Sequence, residues 1–321
     1  MRCLLALALT AGMAVAQTPN PDRVLETDAR MFGVSFSADG RTLVGLGVDG
    51  KARVWDANSG ALLRSIAWET GYLFTAAIAP EADLIAAGGP DKSVKLWNLD
   101  TGSTVHRLTG HTMESGPYKF SQDGKLLATS GPGQVRLWEL PSARLRFETA
   151  DGAGTIVGFA FSPDGRILAG ANEDTNLRVW DAHSGKLLRV VDELPLLTTC
   201  LTFSRDGAYL ISAGVDQNIY IWDTATWKRV RQFEEGQPES VLSMALSPDG
   251  RMLVTGGFDP ATVNNPAHLI LRDLNSGKAL KTIRLPHAVM GVAFSPDARM
   301  IAVANLENDV KLWQVSNLRE R

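Results

Sequence analysis

The chain has 321 residues, 45% of them hydrophobic and 21% charged, with a formal net charge of −3. That balance suits a folded globular protein and lacks the basic excess expected of a nucleic-acid binder. Past residue 16 no apolar stretch approaches the roughly 20 residues that a helix needs to span a bilayer.

In chain order, the first feature is Arg2, a short positive start, followed by an unbroken run of apolar and small residues from Cys3 to Val15. Ala14-Val15-Ala16 then fits the small-x-small pattern before a cleavage point. The run is too short for a transmembrane helix and predicts a secretory signal removed after Ala16, hence an exported chain, periplasmic or extracellular. Residues 17–21 follow as a short linker. The mature chain keeps one cysteine, Cys200, which can form no internal disulfide; its surroundings, LLTTCLTF, predict a shielded place in a core strand.

From about residue 31 the chain repeats itself seven times. Turn phrases such as SADGR at 37–41, SPDGR at 162–166 and SPDAR at 295–299 each lead to a phrase of the Val-Trp-Asp type. Trp55, Trp97, Trp138, Trp180, Trp222 and Trp313 mark six copies, and Arg272 stands in the other. A period near 40 residues is the signature of a circular or stacked array.

Residues 155–191 show what one copy encodes. TIVGFAFS alternates, with Val157, Phe159 and Phe161 on one face and Gly158, Ala160 and Ser162 on the other, which predicts a strand with one face small enough for close sheet packing. Pro163-Asp164-Gly165 is turn chemistry. RILAGA and LRVWD predict two more strands, and KLLRVVD a fourth whose mixture of charge and apolar residues suits a solvent-facing outer edge. Four antiparallel strands per copy make a blade, and seven blades must close into a ring or leave a sheet face unpaired. The last copy stops at Gln314-Val315 without a fourth strand. Residues 22–28, DRVLETD, have the pattern of that missing strand and are predicted to complete the last blade. The fold class is therefore all-β, a single seven-bladed β-propeller over 22–321 fastened by its own N-terminal strand.

VWD at 54–56 and 179–181, IWD at 221–223, the FSPDG-type turns and Gly110-His111 in LTGHT together resemble the WD-repeat β-propeller family. The resemblance covers essentially the whole mature chain and implies a rigid protein-interaction scaffold without catalysis, cofactor or metal. It also implies a buried hydrogen-bond set of His, Ser or Thr, Asp and Trp within a blade, which is eroded here. Asp49, Asp91, Asp174 and Asp216 stand six residues before their tryptophans, but their blades lack the histidine, and the blade of His111 has Pro132 at the Asp position. These aspartates are expected to serve as turn and strand-end partners.

Catalysis would need convergent titratable groups. The five histidines are scattered, and neither HExxH nor GxSxG occurs. Inner-strand segments such as GVSFS, TAAIA, GFAFS and SMALS are apolar and small, so the central channel is expected to be chemically empty. WDAHSGKLLR and RDLNSGKALK resemble a turn phrase of quinoprotein-like dehydrogenases, but Arg189 and Lys281 stand where that superfamily has a docking tryptophan. A propeller dehydrogenase, or a channel binding calcium or a small ligand, is the alternative reading.

Loops between blades share one face with the turns between second and third strands in this topology. Acidic residues crowd onto those segments, and only Arg30, Lys51 and Lys92 oppose them in the sequence. The expected partner is a protein or peptide with a basic patch, bound by a monomeric propeller. Candidate contact residues are Trp68, Glu69, His111, Glu114, Asp151, Glu234 and Glu235 in the between-blade loops, together with Phe258, Asp259 and His268 in the insertion at 258–269. Trp227 takes the place of a turn glycine on the opposite face, where its ring either meets a partner or covers a blade edge.

Overall fold

The computed structural model describes residues 19–67, 76–79, 84–88, 91–111, 117–131, 133–149, 155–192, 194, 197–233, 238–258 and 266–319. The predicted signal segment lies outside them, apart from which the predicted ring is present. Among the described residues twenty-eight strands form seven four-stranded antiparallel sheets, and one short helix follows the last strand. Each of the first six blades takes four consecutive strands: β2–β5 (31–67), β6–β9 (76–108), β10–β13 (118–149), β14–β17 (156–191), β18–β21 (198–233) and β22–β25 (240–285). The seventh is built from β26 (Val289–Phe294), β27 (Met300–Asn305), β28 (Asp309–Gln314) and β1 (Arg23–Glu26).

The closing strand runs antiparallel to β28, with Arg23 opposite Leu312 and Glu26 opposite Asp309. The fastening extends upstream of the strand. Pro19 O accepts a hydrogen bond from Trp313 Nε1 at 3.3 Å, and the Asp22 carboxylate accepts from Gln314 N and Asn317 Nδ2, both at 2.6 Å. Pro19, linker in the sequence pattern, thus already takes part in the closure. Beyond β28 a helix, α1 (Val315–Arg319), buries Val315 and Leu318 against blade six and seven residues; five residues are too few for a legible helical period.

Apolar burial is organised by seams between blades. Seven hydrophobic clusters are present, each drawing side chains from two neighbouring blades, the last joining blade seven to blade one. The repeat tryptophan packs into the seam with the preceding blade: Trp55 against blade seven, Trp97 against blade one, Trp180 against blade three, Trp222 against blade four. This is why the tryptophan recurs in sequence, since one bulky side chain per seam excludes water from it at about 25 cal/mol for each Å² of apolar surface removed. The seam between blades five and six has no tryptophan, and the corresponding residue, Arg272, is fully buried.

The turns between first and second strands also recur as one structure. Ser162 Oγ donates to Asp164 Oδ1 at 2.6 Å, the same carboxylate accepts from Arg166 N at 3.0 Å, and Ser162 Oγ accepts from Ile167 N at 2.9 Å. Gly165 supplies the left-handed backbone with φ of 69°. Serine–aspartate pairs repeat this at Ser37, Ser121, Ser204, Ser247 and Ser295.

The inner strand of blade four corrects one expectation. A bulge between Ile156 and Gly158 inserts one residue into β14. Val157 therefore packs with Ala160 toward blade five, while Phe159 and Phe161 pack toward blade three. One extra residue flips every side chain before it to the other face. The close approach predicted for the small face is present: a Cβ on Gly158 would stand 2.9 Å from Thr199 O on β18.

Candidate functional site

Side-chain contacts show directly that between-blade loops and second-to-third-strand turns meet on one face. Asp28, ahead of β2, and Asp49, in the turn before β4, both receive the Arg53 guanidinium; Arg53 Nη2 stands 2.7 Å from Asp49 Oδ2 and pairs also with Asp28. Glu239, ahead of β22, pairs with His268 on β24 at 3.0 Å. His287, ahead of β26, faces Glu307 in the turn before β28 at 3.7 Å.

Those contacts revise the charge count on this face. The sequence count leaves out cations that lie within strands and reach back to the turns. Arg178 binds Asp174 at 2.8 Å, Arg107 binds Asp91 at 2.9 Å, and Lys311 sits between Glu307 and Asp309, 3.0 Å from the latter. Tyr220 donates its hydroxyl to Asp216 at 2.8 Å. The turn aspartates are partners of strands, as expected, and the described part of the face is far closer to neutral than the sequence count implies. Burial alone would raise the Asp49 pKa, but the hydrogen bonds and charge of Arg53 outweigh it and hold the carboxyl below its ordinary range. Arg53 itself is only 4% exposed, so these pairs are part of the fold.

Several candidate contact residues are accounted for otherwise. His111 is buried at 6% exposure, with Nε2 3.0 Å from Thr129 Oγ1, and Trp138 Nε1 donates to the same oxygen at 3.0 Å. The eroded set of blade three thus still forms a His–Thr–Trp triangle. Burial, with a contribution from the Arg136 charge, lowers the His111 pKa to about 4, so the ring is neutral near pH 7 and unavailable to a partner. In blade five Ser212 plays the threonine part for Trp222 at 2.8 Å. His268 is a strand residue, on β24 (Ala267–Asp273), and its backbone N–H and Nδ1 both engage the buried Glu239 carboxylate. Phe258 is the last residue of β23 (Met252–Phe258), so the insertion is shorter than the sequence pattern suggests. Trp227 is buried at 9% exposure, edge-on to Phe203 with ring centroids 6.5 Å apart, covering the seam between blades four and five. Its φ of 57° keeps the glycine-like backbone of the turn it replaces. Trp68, Glu69, Glu114, Asp151, Glu234, Glu235 and Asp259 lie outside the described residues.

The channel differs from expectation as well. A cavity of about 960 Å³ runs along the inner strands and opens among the first-to-second-strand turns, on the side away from the loop face. Its wall includes Phe32, Ile78, Met244 and Met290, but also Lys119 from β10 and Arg205 from the turn after β18. Among the described lining residues there is no carboxylate, and among the described residues no cluster of three or more His, Cys, Asp or Glu side chains could hold a metal. Lys119 escapes a reading by composition because its segment, GPYKFS, lacks the small-residue pattern of the other inner strands.

The fold and its turns define a seven-bladed propeller of four-stranded repeats. The chain matches the family described as "WD domain, G-beta repeat" over residues 21–56, 60–98, 102–139, 196–223, 227–260 and 277–314, and it belongs to that family. Residues 134–206 match the "Anaphase-promoting complex subunit 4 WD40 domain". Among curated relatives it is 23% identical to "Protein tipD" of Dictyostelium discoideum over 274 residues, 81% of this chain and 42% of that protein. It is 29% identical to "Apoptotic protease-activating factor 1" of Rattus norvegicus over 148 residues, 43% of this chain and 12% of that one. The chain spans less than half the length of either relative.

Proposed function

We propose that this protein is an exported, non-catalytic scaffold that binds a basic protein or peptide on the loop face of its propeller, as a monomer. The observation that carries the reading is the ring itself. Seven seams and a strand shared between the two ends of the chain fix the strands from which the loop face rises before any partner arrives, so association does not have to order that framework. Propellers of this family generally bind proteins and do no chemistry, and the described loop-face aspartates have structural partners instead of a catalytic arrangement. With those aspartates neutralised, the acid available to a basic partner is carried in the sequence by Glu69, Glu114, Asp151, Glu234 and Glu235. Charge of one sign on such a face selects and steers the partner more than it tightens binding. Export rests on the Arg2 start, the run to Val15 and the Ala14-Val15-Ala16 pattern.

Crosslinking capture from the exported fraction tests both parts. Wild type is compared with a variant carrying Glu69→Lys, Asp151→Lys, Glu234→Lys and Glu235→Lys. Capture of a protein by wild type that the reversed variant loses supports the loop face; equal capture moves the site elsewhere on the propeller. An intact mass beginning at Gln17 supports export, and retention of Met1 in the mature protein removes it.

A further inference from the structure

Lys119 puts an ammonium on the inner wall of the ring. On β10 (Tyr118–Phe120) the flanking Tyr118 and Phe120 are buried in the seam with blade two, so strand alternation sends the side chain between them the other way. Lys119 lines the central cavity, and it interacts electrostatically with the Cys200 thiol of blade five, two blades along the ring. Lys119 is exposed to the channel, and the desolvation caused by the ring of protein around that channel lowers its pKa below the ordinary lysine value. Among the described residues no hydrogen-bond acceptor or carboxylate pairs with it. At the mouth, Arg205 adds a second cation, held by a hydrogen bond from its guanidinium to Pro248 O.

The remaining wall says what kind of anion fits. A volume near 960 Å³ is far larger than an inorganic ion and lies in the range of small-molecule sites, which are mostly apolar with a few polar groups that fix orientation. Phe32, Ile78, Met244 and Met290 supply the apolar part, and Thr202 offers a hydroxyl with no protein partner among the described residues. We propose that the central channel is a binding site for a small organic carboxylate, entered from the turn face, with Lys119 as its counter-ion and the apolar wall around its hydrocarbon body. This site is independent of the scaffold reading and lies on the other side of the ring.

Titration calorimetry on the full mature protein tests it with 4-phenylbutyrate, its neutral amide and inorganic phosphate as probes. The expected result is that wild type and Lys119→Arg bind 4-phenylbutyrate. Lys119→Met should bind it about tenfold more weakly or worse, the loss of one charge-assisted hydrogen bond. The amide should bind wild type and Lys119→Met equally and less tightly than the acid binds wild type. Equal affinity of wild type and Lys119→Met for the acid overturns the proposal. So does an amide that binds wild type as well as the acid, or phosphate that binds where 4-phenylbutyrate does not. Absence of binding to folded wild type at millimolar acid overturns it too. Lys119→Gln serves as the second neutral variant should Lys119→Met not fold.

Discussion

The loop face and the central channel carry charge in opposite ways. On the face, carboxylates are numerous and the strands answer most of the described ones: Asp28 and Asp49 share Arg53, Asp174 holds Arg178, and Glu307 and Asp309 flank Lys311. In the channel there is a single lysine on the inner strands, and no described carboxylate answers it. The number of charges in a region is therefore a poor guide to its role. A charge that the fold neutralises serves the fold, whereas a charge that it leaves alone in a cavity is available to something else. Variants on the two sides should separate these roles.

The largest effect should come from the face. Removing both Asp28 and Asp49 by substitution to Ala leaves the buried Arg53 without its carboxylates. Breaking a buried pair from one side costs roughly 3–5 kcal/mol, and the partial exposure of both aspartates puts this pair toward the lower end. The urea midpoint at neutral pH reads it. A shift within error of wild type would mean that Arg53 finds water instead, and that the face is less built than its geometry implies.

A smaller effect is expected at His111, the face candidate that proves internal. Thr129→Val removes the hydroxyl that hydrogen-bonds both His111 and Trp138 and should cost about 1–3 kcal/mol. pH gives an independent reading. The unfolded chain protonates this imidazole near 6.5 and the folded chain only near 4. Its share of stability is therefore full above about pH 6.5 and drains away as pH falls toward 4. His111→Gln should flatten that part of the profile; an unchanged profile between pH 4 and 7 would place the ring in solvent.

How much of this was legible beforehand depended on whether a feature repeats. Six of the seven seams take a repeat tryptophan and most of the turns a Ser-x-Asp-Gly, so the ring could be counted from the sequence, and the orphan strand at 23–26 followed from the missing edge of the last blade. What the sequence hid was reach and register. Arg53 and Arg178 stand mid-strand, and nothing in their spacing says that a guanidinium turns back to the preceding turn. The bulge that flips Val157 leaves no mark on the alternation of TIVGFAFS, because both faces of a blade are buried and either phase looks acceptable. His111 and His268 sit in segments that read as loops, and their partners, Thr129 and Glu239, are 18 and 29 residues away. Lys119 was legible as a lysine but not as a channel residue, since only the ring places β10 beside the cavity.

Cys200 probes the same inner region without altering the fold. Burial raises its thiol pKa to about 11, opposed by Thr199 and by the Lys119 charge, so at pH 8 it is protonated as well as buried. Iodoacetamide at that pH should leave native protein unmodified for hours and alkylate it quickly in urea, as intact mass will show. Prompt labelling of the native protein would mean that channel water reaches the thiol, and would add Cys200 to the polar groups that Lys119 and Thr202 already bring to the cavity wall.

The smallest expected change in stability is the one that decides the comparison. Lys119→Met removes a charge that desolvation disfavours and that no described carboxylate pairs, so the folded state loses little more than the electrostatic interaction with Cys200. An apolar replacement of similar length exchanges an uncompensated ammonium for side-chain contact with an apolar wall, which is neutral or favourable where no partner is stranded. The urea midpoint should stay level or rise. If it instead falls as far as for the Asp28 and Asp49 double variant, Lys119 is a structural charge like those on the face, and the contrast between the two regions fails. If it holds while carboxylate binding is lost, the lysine's contribution is to a ligand and not to the ring, which is what an unanswered charge in a preformed cavity implies.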